Sequence, residues 1–267
     1  MNTHILLLAL IAMLTVAAPL SAAVQTKAVE YKDGDVVLEG FLTYDDAVKG
    51  KAPGVLVVHE WWGVNDYAKG RAKQLAEMGY MALAVDMYGK GVLAKTSKDA
   101  GELAGKLKGD RPMMRKRVTA GLDVLKANEK VDPKRIAAIG YCFGGTTVLE
   151  LARSGADIAG VVSFHGGLDS TSPADAKTLK ARVLVLTGAD DPSVPPAQVN
   201  AFAEEMRKAG ADWYMTSYGG AVHAFTNPAS GNDPSRGAAY NAAADRRSWQ
   251  AMKDFFAQIF AAPAEKK

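Results

Sequence analysis

A glycine-rich turn that carries the sole cysteine of the 267-residue chain constrains the fold most strongly. Gly140-Tyr141-Cys142-Phe143-Gly144-Gly145 follows the apolar run 135–139 and precedes residues 146–153, whose apolar side chains have helical spacing. The turn requires small residues two positions before and after the cysteine, because larger ones would clash with the neighbouring strand and helix. A strand, then G-x-C-x-G, then a helix is typical of a nucleophile elbow with cysteine in place of serine.

The position of Cys142 favours a chemical role. It is predicted at a helix N-terminus, where the helix dipole favours a thiolate. The alternative is an inert buried cysteine in a glycine-rich turn, which is a common use of this residue. With a single cysteine no intramolecular disulfide can form.

Apolar runs and helical patterns alternate along the rest of the chain. Continuous apolar runs are typical of strands buried on both faces of a parallel sheet, and they occur at 54–59, 80–85, 158–164 and 182–187, with a last strand predicted at 212–218. An Asp-Gly step within 32–35 predicts a hairpin between residues 29–31 and 36–42. Helices are predicted at 66–78, 112–128, 195–209 and 238–261, and a surface excursion with helical pieces is predicted at 88–110. The alternation predicts an α/β-hydrolase fold, a doubly wound, mostly parallel sheet with helices on both faces.

The first 23 residues are typical of a secretory signal. An apolar stretch from Ile5 to Val16 is followed by Ser21-Ala22-Ala23, which offers small residues for cleavage, although no Lys or Arg precedes the stretch. The alternative is an uncleaved anchor, for which the stretch is short. We therefore expect a single domain over 24–267 that is periplasmic or secreted, without stable membrane association after processing. In an oxidising compartment a lone thiol is a liability unless it is buried or used.

The charge pattern does not favour a nucleic-acid partner. Lys and Arg number 32 against 29 Asp and Glu, a net charge of +3, and no long basic run occurs. The basic residues Arg111, Arg115, Lys116 and Arg117 are predicted to form a solvated helix face. No metal-ligand cluster or dinucleotide fingerprint is present, so we expect a monomer that needs no cofactor and acts on a small molecule.

A nucleophile elbow predicts an acid and then a histidine further along the chain. His223 follows the last predicted strand, whereas His59 precedes the elbow and His165 precedes the acid; the alternative for His223 is an exposed loop histidine. The acid is expected just after the strand at 182–187, where Asp191 is favoured and Asp190 is the alternative.

The loop after the strand ending at Val58 is expected to complete the site. In this fold it donates one backbone N–H to an oxyanion hole, and the residue after the nucleophile donates the other, which assigns Trp61 and Phe143. Glu60 is unusual here, because a carboxylate facing a thiol opposes thiolate formation. The alternative is that Glu60 faces outward or pairs with a basic side chain.

Together these motifs resemble the dienelactone hydrolase (carboxymethylenebutenolidase) family from about residue 29 to the last helix. The motifs are Glu60-Trp61-Trp62-Gly63, Asp86-Met87-Tyr88-Gly89, Gly140-Tyr141-Cys142-Phe143-Gly144-Gly145, Asp191-Pro192-Ser193-Val194-Pro195 and His223-Ala224-Phe225. The resemblance implies a Cys142-His223-Asp191 triad and a Glu60 carboxylate that holds the resting thiol until substrate displaces it. It also implies cleavage of an ester or lactone.

The chain departs from the family pattern where two arginines would hold a substrate carboxylate. Those positions are Lys90 and Asn227, which we assign to substrate binding together with Tyr88. The alternative for Lys90 is that it projects into solvent. This departure affects the choice of substrate and leaves the hydrolase chemistry in place. Two other functions are alternatives to ester hydrolysis. They are a thioesterase or peptidase on the same scaffold, and a binding protein without turnover.

Overall fold

The structure is a computed structural model that describes residues 23–261. Its strands are β1 (Val24–Asp33), β2 (Val36–Asp45), β3 (Ala52–Val58), β4 (Met81–Val85), β5 (Val131–Tyr141), β6 (Gly160–Phe164), β7 (Arg182–Gly188) and β8 (Trp213–Tyr218). They form one sheet in the order β1-β2-β4-β3-β5-β6-β7-β8. The predicted signal segment lies outside the described residues apart from Ala23.

Strand direction confirms the predicted α/β-hydrolase fold. Strands β1 and β2 form the predicted hairpin, and β2 also runs antiparallel to β4. The pairs from β4 through β3, β5, β6 and β7 to β8 are all parallel. The carboxyl ends of these six strands therefore share one edge of the sheet, which is where side chains that follow the strands can meet.

Six helices cover the sheet: α1 (Asp66–Ala76), α2 (Ser97–Gly109), α3 (Arg111–Ala127), α4 (Phe143–Arg153), α5 (Pro196–Ala209) and α6 (Ala242–Ile259). Alternate residues of β3 belong to two separate cores, because successive side chains of a strand point to opposite faces. Leu56 and Val58 pack with residues of α2 to α5, whereas Val55 and Val57 pack with residues of α1 and α6. None of the helices in the described range is long and apolar enough to cross a membrane.

Local signals set most helix boundaries within a few residues of the prediction. The Asn65 side chain accepts the backbone N–H of Ala68 and begins α1, and Gly210, at φ +65°, ends α5. The predicted start of α6 at 238 is wrong. The helix begins at Ala242 behind Asn241 as its N-cap, because residue 239 instead donates its backbone N–H to the carbonyl of His223.

The basic residues of α3 do not form the solvated face that the sequence predicts. Arg111 and Arg117 are buried, and only Lys116 is strongly exposed. Arg117 Nε donates to the Asp33 carboxylate at 3.0 Å, and an Arg111 terminal nitrogen donates to Asp169 at 2.6 Å. Their partners come from distant segments of the chain, so the local spacing of α3 could not reveal them.

A buried network of ion pairs connects the basic residues of α3 with α4 and α5. Glu150 accepts hydrogen bonds from Arg115 at 2.8 Å and from Arg153 at 3.0 Å. Arg153 also donates two bonds of 2.8 Å to Glu205 of α5. Since every member has an opposite charge beside it, the network joins α3, α4 and α5 without leaving an unpaired buried charge.

Candidate active site

The elbow places Cys142 between β5 and α4 in a backbone conformation that is uncommon for a residue with a side chain. Its φ is +53°, outside the helical and extended regions. A Cβ at Gly140 would collide with the Gly144 carbonyl, and one at Gly144 would collide with the Val58 carbonyl. The small residues of the motif therefore allow strand, turn and helix to approach this closely.

Cys142, His223 and Asp191 form a hydrogen-bonded series across three strand ends. The Cys142 Sγ lies 3.0 Å from His223 Nε2, and His223 Nδ1 lies 2.9 Å from Asp191 Oδ2. The Asp191 side chain is fully buried, and its other oxygen accepts the Ser193 N–H at 2.8 Å. The competing acid Asp190 is exposed and accepts the Gly220 N–H at 2.9 Å, so it stabilises the turn rather than facing His223.

The surroundings of His223 favour its protonated form. Burial by itself would lower the pKa of the imidazole, but the adjacent Cys142 and the hydrogen bond to Asp191 raise this pKa well above its usual range. The protonated imidazole places its Nε2 donor 3.0 Å from the Cys142 sulfur. The pair thus holds a sulfur and a proton donor in contact.

The backbone of His223 is clasped by a segment that follows it. The His223 N–H donates to the Gly237 carbonyl at 3.1 Å, and the Ala239 N–H donates to the His223 carbonyl at 3.0 Å. Residues 228–236 lie between His223 and these two partners. They include the short 3₁₀ turns Pro228–Ser230 and Pro234–Arg236, and most of them are exposed. We call these two backbone hydrogen bonds the clasp and residues 228–236 the excursion. The clasp fixes the imidazole at the base of the excursion.

Glu60 is buried beside the site but does not bond to the thiol. The Asn227 Nδ2 donates to its Oε2 at 2.6 Å, and the Glu60 residue is only 4% exposed. Burial raises the pKa of Glu60 to about 7, although Asn227, His223 and Arg71 oppose the rise. The outward orientation considered from the sequence is therefore wrong. The bond from Glu60 to the resting thiol, which the resemblance implied, is also not the one observed, since the sulfur faces His223.

The two backbone N–H groups expected to form an oxyanion hole are those of Trp61 and Phe143. Within residues 23–261 neither of them has a hydrogen-bond acceptor. The Tyr88 hydroxyl donates to the Trp61 carbonyl at 3.0 Å and its ring packs against Phe143. Burial and the nearby Cys142 raise the pKa of Tyr88, so this residue stays a neutral donor beside the sulfur.

The side chains of the two residues that replace the family's arginines are bonded to other side chains of the protein. Lys90 pairs with Glu30 and lies 3.6 Å from Glu39, both on the first hairpin. Asn227 donates to Glu60 and accepts the Ala229 N–H at 3.0 Å. The prediction that Lys90 and Asn227 bind substrate gains no support from these contacts.

His165 is a site residue that the sequence reasoning set aside. It directly follows β6, is fully buried, and has a φ of +40°. Its Nδ1 lies 3.1 Å from the backbone nitrogen of Cys142, and its ring is 5.4 Å from that of His223. Its position at the end of a parallel strand next to β5 is the sequence feature that indicates a place in the site. The expected chain order of nucleophile, acid and histidine favours His223 instead.

The comparisons with known proteins agree with this architecture. The model of the dienelactone hydrolase family matches residues 38–260, which is most of the chain. The chain belongs to the dienelactone hydrolase family. It is therefore a hydrolase of ester or lactone bonds. Within the described residues, no group of three or more His, Cys, Asp or Glu side chains could hold a metal ion.

Individual relatives align with this chain over most of their own length. The solved structure called m3DLH is 43% identical, with a TM-score of 0.86, and the match covers 90% of this chain and 100% of that one. A dienelactone hydrolase-like promiscuous phosphotriesterase, P91, from metagenomic libraries is 41% identical, with a TM-score of 0.84 and the same coverage. Protein usf of Aquifex pyrophilus is 29% identical over 203 residues, 74% of this chain and 86% of its own.

Proposed function

We propose that this protein hydrolyses uncharged carboxylic esters or lactones with Cys142 as the nucleophile. The observation that carries the proposal is the series of Cys142, His223 and Asp191, with separations of 3.0 and 2.9 Å. A nucleophile within hydrogen-bond reach of a base, which is itself oriented by an acid, is the arrangement that covalent acyl transfer requires.

In the first half-reaction the Cys142 thiolate attacks the carbonyl carbon and forms a C–S bond. The carbonyl oxygen becomes an oxyanion, and the free N–H groups of Trp61 and Phe143 are available to stabilise it. The intermediate then collapses with cleavage of the C–O bond, and His223 gives its proton to the leaving alcohol. Asp191 keeps the imidazole oriented throughout.

In the second half-reaction water cleaves the acyl-thioester on Cys142. His223 takes a proton from the water as it attacks the acyl carbon, and the C–S bond breaks to release the carboxylic acid. The thiolate and the imidazolium are then restored beside each other. No other reactant is needed, so protons and electrons balance over the cycle.

The preference for uncharged substrates follows from the partners of Lys90 and Asn227. A carboxylate-binding site gains most from two arginine forks, each of which makes parallel charge-assisted hydrogen bonds. Here the ammonium is paired with Glu30 and Glu39, and the amide is bonded to Glu60. With each charge-assisted bond worth roughly 1.5–3 kcal/mol, selectivity for an anionic lactone should be at least about tenfold weaker than with a two-arginine clamp.

Burst kinetics with an activated aryl ester test the nucleophile. The parent should release a burst of phenol equal to the enzyme concentration, and Cys142→Ala should release none while keeping its fold by circular dichroism. Cys142→Ser should retain only a small activity, since a hydroxyl needs more base assistance than a thiol. Near-parental turnover by the alanine variant would refute the proposal. Faster cleavage of a matched thioester or peptide would favour the other hydrolases on this scaffold, and binding without any burst would favour a non-catalytic protein.

A neutral phosphotriester is a second candidate substrate. The relative P91, at 41% identity, is named as a promiscuous phosphotriesterase. A triester carries no charge, so it suits a site whose Lys90 and Asn227 are already paired. Release of the aryl group from a dialkyl aryl phosphate by the parent, and its loss in Cys142→Ala, would support this activity.

We also propose that the protein is exported, on the basis of the apolar stretch from Ile5 to Val16 and the small residues at 21–23. Removal of the signal would leave a mature chain beginning near Val24 in the periplasm or the medium. Mass spectrometry of the exported protein measures this directly. A full-length N-terminus on exported material would contradict the proposal.

A further inference from the structure

The buried ring of His165 is held between the nucleophile and the loop that carries the base. On one side the backbone N–H of Cys142 is shared between two acceptors, the Phe164 carbonyl at 3.0 Å and the Nδ1 of His165 at 3.1 Å. On the other side its Nε2 lies 2.7 Å from the hydroxyl oxygen of Thr226, three residues after His223. Its own backbone N–H donates to the Leu186 carbonyl of β7 at 2.8 Å. The residue is therefore fixed at three points.

These contacts determine where the proton of His165 lies. A backbone N–H can only donate, so Nδ1 must be the unprotonated acceptor. The proton is then on Nε2, which donates to Thr226. Burial, together with His223 and Arg71, lowers the pKa of His165 well below its usual range, so the ring stays neutral. A neutral ring can remain 5.4 Å from the His223 imidazolium without adding a like charge.

Thr226 is itself firmly placed. Its hydroxyl lies 2.6 Å from the Tyr67 hydroxyl, and its carbonyl accepts a bond of 2.8 Å from Arg71. Arg71 in turn bonds to Asp245 of α6 at 2.6 Å. The loop that carries the base is thus connected to α1 and α6, and His165 is the link from that assembly to the nucleophile elbow.

We propose that His165 is a positioning residue that sets the separation between the Cys142 sulfur and the His223 imidazole. It does so by accepting the N–H of Cys142 and donating to Thr226, which joins the elbow to the loop of the base. The inference rests on the proposed function, because the separation matters for a thiol activated by an imidazole. Displacement of reacting groups by about 1 Å can cost on the order of a hundredfold in rate, so losing this link should be visible in kcat.

Three variants separate positioning from simple packing. His165→Phe keeps a planar aromatic ring but removes both side-chain hydrogen bonds. His165→Asn places an amide oxygen near the position of Nδ1, and asparagine tolerates a positive φ better than most residues. Thr226→Val removes the bond to His165 Nε2 together with the bond to the Tyr67 hydroxyl and leaves His165 in place, so it also serves if His165→Phe fails to fold. Phe202→Leu, a buried change in α5 away from the site, controls for general loss of stability.

Two measurements are made on each variant, both normalised to titrated thiol. The first is kcat and KM on an aryl ester, and the second is the pH profile of Cys142 alkylation by iodoacetamide. Other titratable groups around Cys142 and His223 are Asp191, Glu60, Tyr88 and Arg71, and all variants retain these groups. His165→Phe should lower kcat by about tenfold to a hundredfold with KM within about twofold, and should move the alkylation profile. His165→Asn should recover most of the loss, Thr226→Val should lie between His165→Phe and the parent, and Phe202→Leu should match the parent.

Two results would overturn the proposal. One is a kcat for His165→Phe, or for Thr226→Val if the former does not fold, that stays within about threefold of the parent. The other is an equal loss in His165→Phe and His165→Asn with an unchanged alkylation profile, because a purely structural histidine would behave in that way. If the parent itself has no esterase activity, the proposed function fails. The alkylation profiles still test the positioning, since they require only the thiol and its imidazole.

Discussion

Replacing Glu60 by glutamine should stabilise the protein in a way that depends on pH. The carboxyl is buried, and its pKa is about 7 in the folded protein against a usual value of 4.5. Because the folded-state pKa is the higher one, folding binds a proton. The contribution of Glu60 to stability is therefore fully present below about pH 4.5 and is lost as the pH rises through about 7.

The size of the effect follows from the same two values. A pKa that is about 2.5 higher in the folded state corresponds, at 1.36 kcal/mol for each unit, to about 3 kcal/mol. Glu60→Gln removes this cost because the amide is always neutral, and its oxygen can still accept from Asn227 Nδ2. The variant should therefore gain about 3 kcal/mol over the parent above about pH 7, and the gain should vanish near pH 4.5.

Urea unfolding followed by tryptophan fluorescence at several pH values between about 4.5 and 8 measures the difference. The pH dependence that the parent and variant share cancels in this comparison. Glu102→Gln is the control, because the Glu102 side chain is 70% exposed and its change should leave the difference flat. A gain that is independent of pH, or one that shrinks as the pH rises, would refute the reasoning from burial.

Three further outcomes are expected. Asp191→Asn should lower kcat on the order of 10⁴-fold, as loss of the orienting acid does in a Ser-His-Asp triad, whereas the neighbouring Asp190→Asn should stay within about tenfold. Steady-state kinetics on an aryl ester compares the two variants. Lys90→Ala should leave the ratio of kcat/KM for an anionic and a neutral ester unchanged, because its ammonium is already paired; a fall of about tenfold in that ratio would show that Lys90 reaches substrate. Arg153→Met should lower the free energy of unfolding in urea by about 3–5 kcal/mol, whereas the exposed Arg182→Met should lower it by at most about 1 kcal/mol. Equal losses would argue against a stabilising role of the buried network.

The parts of the fold that the sequence predicts well are those determined by neighbouring residues. The Asp-Gly step of the first hairpin, the glycines around Cys142 and the stop at Gly210 act within one turn of chain, and each lies where the pattern places it. Continuous apolar runs likewise predicted the parallel strands, since a strand covered on both faces has no polar side. The start of α6 was missed because residues 238–241 pair with the His223 loop, which local periodicity does not encode.

The site was harder to predict where a residue's role depends on its partner. Chain order favoured His223 and an acid just after the strand at 182–187, and the structure places His223 between Cys142 and Asp191. The same rule set aside His165, although it follows a strand of the same edge. The roles of Glu60 and Asn227 could not be derived separately, because each is satisfied by the other across 167 positions of sequence.

The clasp at His223 has a consequence for how this enzyme could diversify. Backbone hydrogen bonds to residues 237 and 239 close the excursion at its base, so the position of the imidazole does not depend on the length of residues 228–236. Most of that segment is exposed, and surface loops of this kind tolerate insertion. A library with altered lengths between 228 and 236 could therefore change this exposed surface while His223 keeps its position beside Cys142.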